Sequence, residues 1–346
     1  MHRADKAVLR VTVGMGLAAS MAYGFSFPMP FAVCAVAFLL LAKPGPPAPP
    51  GKGIITGLIV AALLLAGVLV VPILWHYPVT ALAITAALLF AVFFADARKA
   101  SPLTIFIVAA LTFMPVAGVA TQALVTVLAQ ALGIGLIIGA LVNGVTHALF
   151  PDRPSAKQAA PAAGVGVETA RWKALQATVV IMPVFVVALT NPTFYLPAIM
   201  KTVMVGQQAN ATDARSAGRE LLGSTLMGAV MAAAVWAGLT LLPTLWMLTL
   251  WIMAASHWTA ARMFGVRPTS FPPSFWLNAL ITMLILLGPG IEDAAVGKDV
   301  YAASATRLAI FVFVALYGWA TVWALERWRS ARQARGFVTP SQPMRR

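Results

Sequence analysis

Apolar residues in this chain do not alternate. They run in blocks bounded by proline, glycine or charge, and most blocks approach the ~20 residues that a helix needs to cross a bilayer. The first half holds blocks at 7–26, 28–42, 53–72, 75–95, 102–118 and 122–148, and the second at 173–191, 193–207, 220–241, 243–261, 273–289 and 301–325. The pattern predicts an all-α integral membrane protein of about twelve transmembrane helices. Its first block follows Met1 to Lys6 like a signal peptide, with small residues around Ala19 and Ala22, and reads as an uncleaved first helix because further spans follow at once.

Loop charge tests this count. Lys and Arg stay on the cytoplasmic side of a membrane, whereas short loops without them cross freely. Arg3 and Lys6, Lys43 and Lys52, Arg98 and Lys99, Arg153 to Lys173, Arg215 and Arg219, Arg262 and Arg267, and the run from Arg327 to Arg346 all fall on one face of a twelve-span layout. The opposite loops carry only Lys298, within an acidic loop at 290–300 that also holds Glu292, Asp293 and Asp299. A miscounted span would scramble this alternation, so a multi-pass protein of a plasma (inner) membrane with both termini cytoplasmic is expected.

The two halves also resemble each other. Setting Lys6-Ala7 on Lys173-Ala174 brings Val13 onto Val180, Met15 onto Met182, Phe27 onto Phe194, Pro30 onto Pro197 and Lys52 onto Arg219. Further on, Gly57 meets Gly223, and Pro72 to Trp75 meets Pro243 to Trp246. Six spans per copy is an even number, so two parallel six-helix repeats are predicted, related by an axis along the membrane normal. The expected organisation is a first repeat at 1–150, a cytoplasmic linker at 151–172 rich in Ala, Pro and Gly, a second repeat at 173–327 and a basic cytoplasmic tail at 328–346.

Composition agrees with a lipid environment. The 346 residues are 60% hydrophobic and only 10% charged, too little charge to cover a soluble domain. The net charge of +14 would suggest nucleic acid in a soluble protein. Here the cations sit in short clusters between apolar blocks, so they set orientation and meet anionic headgroups, and nucleic acid is not an expected partner. The single cysteine, Cys34, allows neither an intramolecular disulfide nor a cysteine metal cluster.

Candidate chemistry is sparse. Short segments broken by proline occupy matching places in the two halves, Pro28 and Pro30 in the first, Pro192 and Pro197 beside Asn191 in the second. Such pairs point to transport sites, because proline frees carbonyls that only a cavity or substrate can satisfy; the alternative is helix capping at an outer turn. Lys201 stands opposite Cys34 and reads either as an anchor for an anionic substrate or as a cation snorkelling to the headgroups. Arg307 lies about 30 Å from Arg327 at 1.5 Å per residue, which places it at the outer rim, as an anion exit point or half of a structural ion pair.

Asn143 and His147 share a helix face, and His147 and His257 are the candidates for proton coupling, since every carboxylate lies in a loop or at a helix end. The alternative for these residues is hydrogen bonding between helices. Trp246, Trp251 and Trp258 recur on one span as belt or packing residues. Gly51-Lys52-Gly53 follows prolines and lacks the Gly-rich turn and Ser/Thr of a nucleotide loop. With no zinc-site spacing and no nucleophile elbow either, no enzyme activity, metal or cofactor is expected.

Arg10 opening the first span, a short second span after a Pro-bounded turn, a basic residue before the Gly-rich third span at Gly57, and a duplicated six-helix unit together resemble the fusaric acid resistance and aromatic acid exporter family. Within it, the chain looks most like a short bacterial branch of unassigned function. The resemblance implies an inner-membrane exporter of aromatic or other amphipathic organic acids, often working beside a periplasmic adaptor (membrane fusion) protein; apart from it, a homo-oligomer is an open expectation. Larger family members carry a sizeable cytoplasmic domain, and only the linker stands in its place here. An anion channel and a non-transporting scaffold of an efflux assembly are the competing expectations.

Overall fold

A computed structural model describes residues 2–43, 50–101, 103–151, 165–192, 194–196, 198–199, 202 and 214–336, without the side chains of 50, 214–219 and 332–336. Among these residues every regular element is a helix. They are α1 (Arg3–Gly24), α2 (Pro30–Leu41), α3 (Pro50–Ala66), α4 (Val70–His76), α5 (Pro78–Arg98), α6 (Thr104–Ala120), α7 (Gln122–Leu149), α8 (Val167–Thr190), α9 (Ala214–Leu241), α10 (Leu245–Met263), α11 (Pro273–Ala295) and α12 (Val300–Gly336). Eight of the described helical segments are long and apolar enough to cross a membrane, α3 and α4 counting together as Gly51–His76, while α2 and α6 are shorter apolar helices.

Three boundaries differ from the sequence expectation. The 3₁₀ turn Gly67–Leu69 joins α3 to α4, so Pro72 lies inside a helix and the next span opens at Pro78 rather than 75. The tightened turn accommodates the carbonyl that Pro72 leaves without a donor, whereas Tyr77, in front of Pro78, leaves the helical region at φ −138° and ψ 65°. The Pro72 segment therefore ends a span while the Pro243 segment opens one. The predicted acidic loop at 290–300 is helical as far as Ala295, because Pro289 removes only one donor. The helix stops where Gly297 takes φ +75° and Lys298 N–H closes on Asp293 O at 2.9 Å.

Cross-helix contacts fix the directions. Lys6 Nζ donates to Pro151 O at 2.7 Å and Arg10 to Phe150 O at 3.4 Å, so α7 runs back to the face where α1 begins, here the near face. Thr12 meets His257 at 3.2 Å and Ser20 meets Thr249 at 3.3 Å, making α1 and α10 antiparallel. Val165 N–H reaches Ala97 O, pairing α5 with α8 in the same sense. Tyr317 donates to Val179 O at 3.1 Å, and Glu326 lies beside Trp172, so α12 also ends on the near face. Apart from Lys298 and Arg307, the Lys and Arg residues whose side chains are described belong to the near-face half.

Close packing in lipid relies on small residues rather than a hydrophobic drive. On α7, a Cβ at Gly135 would come within 2.9 Å of Val36, and one at Gly139 within 2.9 Å of the Ala37 Cα, so α2 lies directly on the α7 backbone. Outward, Ile55, Leu58 and Ile59 of α3 are more than half exposed, and Phe313 of α12 is 71% exposed. Such apolar surface is at home in hydrocarbon.

At the near face, α8 and α12 share a polar clamp. Glu326 Oε1 accepts from Trp172 Nε1 at 2.8 Å and from Gln176 Nε2 at 2.6 Å, and Trp172 stacks on Trp328. Gln176 is buried, so Glu326→Ala strands its amide. The expected loss is about 2 kcal/mol, read as lower thermal stability in detergent, with Glu326→Gln retaining part of it.

Candidate functional site

The centre of the bundle is the contact between α2 and α11. Every residue of α2 from Phe31 to Phe38 is buried, as is the run from Asn278 to Gly288 on α11. Phe-Ala-Val-Cys-Ala-Val-Ala-Phe has no polar face to offer water, and here protein rather than lipid covers it. Its start is set by Met29 in the left-handed conformation at φ +49°, followed by Pro30 at the first helical position. Twelve residues make about 18 Å, well short of the ~30 Å hydrocarbon core. Phe31 packs against Gly288, where no Cβ fits.

Beside this contact lies a small cavity of about 90 Å³ between α2, α6, α7 and α11, its lining wholly apolar and including Ala32, Val36, Phe106, Phe113, Leu132 and Ile281. Two larger cavities sit toward the far face. One, of about 330 Å³, lies between α9, α11 and α12, and the other, of about 560 Å³, between α1, α9, α10 and α11. Trp236 and Thr240 of α9 border both, and Tyr23 borders the second. None of the three has a charged lining residue.

The residues expected from sequence do not converge. Lys201 and Pro197 lie outside the described residues. Pro30 does open the short central helix. Asn191 is exposed at the end of α8, and its Oδ1 accepts from Phe194 N–H at 3.4 Å in a local cap. Arg307 forms an ion pair with Asp293, whose residue is 8% exposed, and Lys298 approaches the same carboxylate at 3.9 Å. His147 Nδ1 lies 2.9 Å from the Asn143 carbonyl one turn back, and His257 is exposed with Thr12 at its ring. The two histidines are on different helices, His147 bonded one turn back along α7 and His257 meeting Thr12 of α1.

Sequence reasoning missed Asp293 and Trp236. By sequence Asp293 reads as a loop residue, although an acidic residue just before a helix hairpin is well placed to meet a cation just after it. Trp236, seven Ala-rich residues beyond Ala229, gave no such signal. Among the described residues, no three His, Cys, Asp or Glu side chains come together as a metal site would require. Set against known proteins, the chain matches no family model, no curated protein and no solved structure.

Proposed function

We propose that this multi-pass membrane protein is a transporter that exports amphipathic organic anions, aromatic acids among them, across the plasma membrane. The observation that carries the reading is the short α2, buried from Phe31 to Phe38, started by a backbone break at Met29 and lying on α11 beside an apolar cavity. Discontinuous helices at a bundle centre are how transporters place a substrate site near the midplane.

The packing also favours two six-helix repeats. Helix α1 pairs with α10 and α5 with α8; α3 packs on α6 and α7, and α9 on α11 and α12. Each contact has its counterpart when the halves are exchanged about an axis along the membrane normal, as rocking of one half on the other requires. The near-face cations support a reading in which that face, with both described helix ends, is cytoplasmic. The likeness to aromatic acid exporters adds a periplasmic adaptor protein as partner.

The test is accumulation of labelled hydroxybenzoate in cells with and without the protein, and its efflux from proteoliposomes. Lower accumulation in producing cells is expected, with efflux abolished by a protonophore. Efflux indifferent to the protonophore identifies a channel. No efflux, together with loss of an adaptor complex on deletion, identifies a scaffold.

A further inference from the structure

Helix α10 ends on the near face in a tight turn. Gly265 takes φ +73°, and Arg267 N–H returns to Ala261 O at 2.8 Å, which sets Arg267 beside the last turn of the helix. Arg262 lies in that turn. Its Nη1 donates to Trp258 O at 3.1 Å, and its guanidinium carbon stands 3.9 Å from the centre of the Trp258 ring and 5.1 Å from that of Trp276. The two rings meet edge to face, and Trp276 Nε1 donates to Thr269 Oγ1 at 3.1 Å, so the stack is itself anchored.

Arg267 is exposed and close enough to Arg262 for the two charges to repel each other. Among the described residues neither guanidinium is paired with a carboxylate. A planar cation held flat on an indole presents its remaining N–H groups in one plane, and two such cations side by side favour a single anion with several oxygens.

The rest of the helix says what carries that anion. Trp246, Leu250, Ala254, Trp258 and Arg262 recur at four-residue steps, which makes them one inclined ridge of the α10 surface. Trp246 and Leu250 are 78% and 56% exposed, and Ala254 is exposed as well. On one side α1 meets α10 at Thr249 and His257, and on the other α9 meets it where Trp251 lies over Gly238. Beyond that crossing α9 packs on α11 instead, so closely that a Cβ at Gly228 would come within 2.6 Å of Ala279 O. The apolar part of the ridge is thus left to lipid. From Arg262 to Leu250 it spans about 18 Å, a little more than one leaflet of a ~30 Å hydrocarbon core. A soluble anion would use the arginines and ignore the ridge, whereas a phospholipid fits both.

We infer that Arg262 and Arg267 hold the phosphodiester of an anionic phospholipid from the near-face leaflet, with an acyl chain laid along Ala254 and Leu250. The site is independent of what the protein transports, and it differs from the general attraction of near-face cations for headgroups in having one place and a fixed geometry.

The test is native mass spectrometry of the delipidated full chain in detergent, with dioleoyl phosphatidylglycerol as probe and dioleoyl phosphatidylcholine as control. A saturable adduct of phosphatidylglycerol alone is expected. Arg262→Gln with Arg267→Gln weakens it about tenfold, while Arg327→Gln with Arg329→Gln, an equal loss of near-face charge on α12, leaves it unchanged. Arg262→Lys, which keeps the charge but not the planar fork, also weakens it, and Arg267→Gln alone serves if the double variant does not fold. The dihexanoyl lipid binds less tightly than the dioleoyl one, and Leu250→Gln narrows that difference. Equal weakening by the two double variants, or equal retention of phosphatidylcholine, overturns the site. Displacement of the lipid by millimolar inorganic phosphate marks a free-anion site and overturns the lipid, as does equal binding of the long and short chains.

Discussion

Gly288→Ala is expected to cost about 3 kcal/mol and to strip the protein of most of its folded yield. The added Cβ strikes Phe31 at its Cβ, which is fixed to the α2 backbone, as well as at its ring, so no rotamer change relieves the whole clash. Either α2 lifts from α11 or α11 shifts, and both are already packed on further helices. Truncation supplies the control. Phe31→Ala opens a cavity and destabilises on its own, yet it does not rescue Gly288→Ala, since alanine keeps the Cβ that is struck. Thermal unfolding in detergent, followed by fluorescence size exclusion for the two single variants and the double, reads this directly. A double variant more stable than Gly288→Ala alone contradicts the proposed contact.

Breaking the far-face ion pair has the next largest effect. Arg307 and Asp293 side chains are 19% and 11% exposed, so removing one partner leaves a charge with little water. Asp293→Ala is expected to lose about 3 kcal/mol, and Arg307→Met a similar amount. Replacing both with neutral residues of similar volume returns most of it, because a buried pair contributes little beyond what its desolvation costs. Lys298, at 3.9 Å and 70% exposed, does not substitute for Arg307. A double variant as unstable as the singles shows that the residues matter for separate reasons.

Among the described residues, sequence alone predicted the long apolar helices, eight of them long enough to cross a membrane, because lipid imposes a single rule on every span: enough apolar residues in a row and backbone hydrogen bonds kept inside the helix; the expected span at 193–207 lies mostly outside those residues. Residues such as Pro78, Pro273 and Tyr301 lie within a few positions of the expected boundaries. What it misjudged were places where backbone geometry outranks composition. Pro72 reads as a terminator, but the 3₁₀ turn before it absorbs the missing donor. Pro289 reads the same way, and the stop comes eight residues later from Gly297 in the left-handed region.

The candidate site was less legible. Pro30 was singled out for the right helix, because a proline at a conspicuously short block is visible in one dimension. Trp236, Gly228 and Gly288 were not, since what matters about them is the neighbour across a helix interface, and nothing in a run of Ala, Gly and Val names that neighbour. The pairing of Arg307 with Asp293 spans a hairpin, and the sequence left its partner open.

Helix α12 has 37 residues, which makes a rod of about 55 Å, almost twice the hydrocarbon thickness. Tyr317 ties its middle to α8, and Glu326 ties its last third to the same helix. A load on the end of this rod is therefore carried first by Trp172 and Gln176 of α8, which hold Glu326.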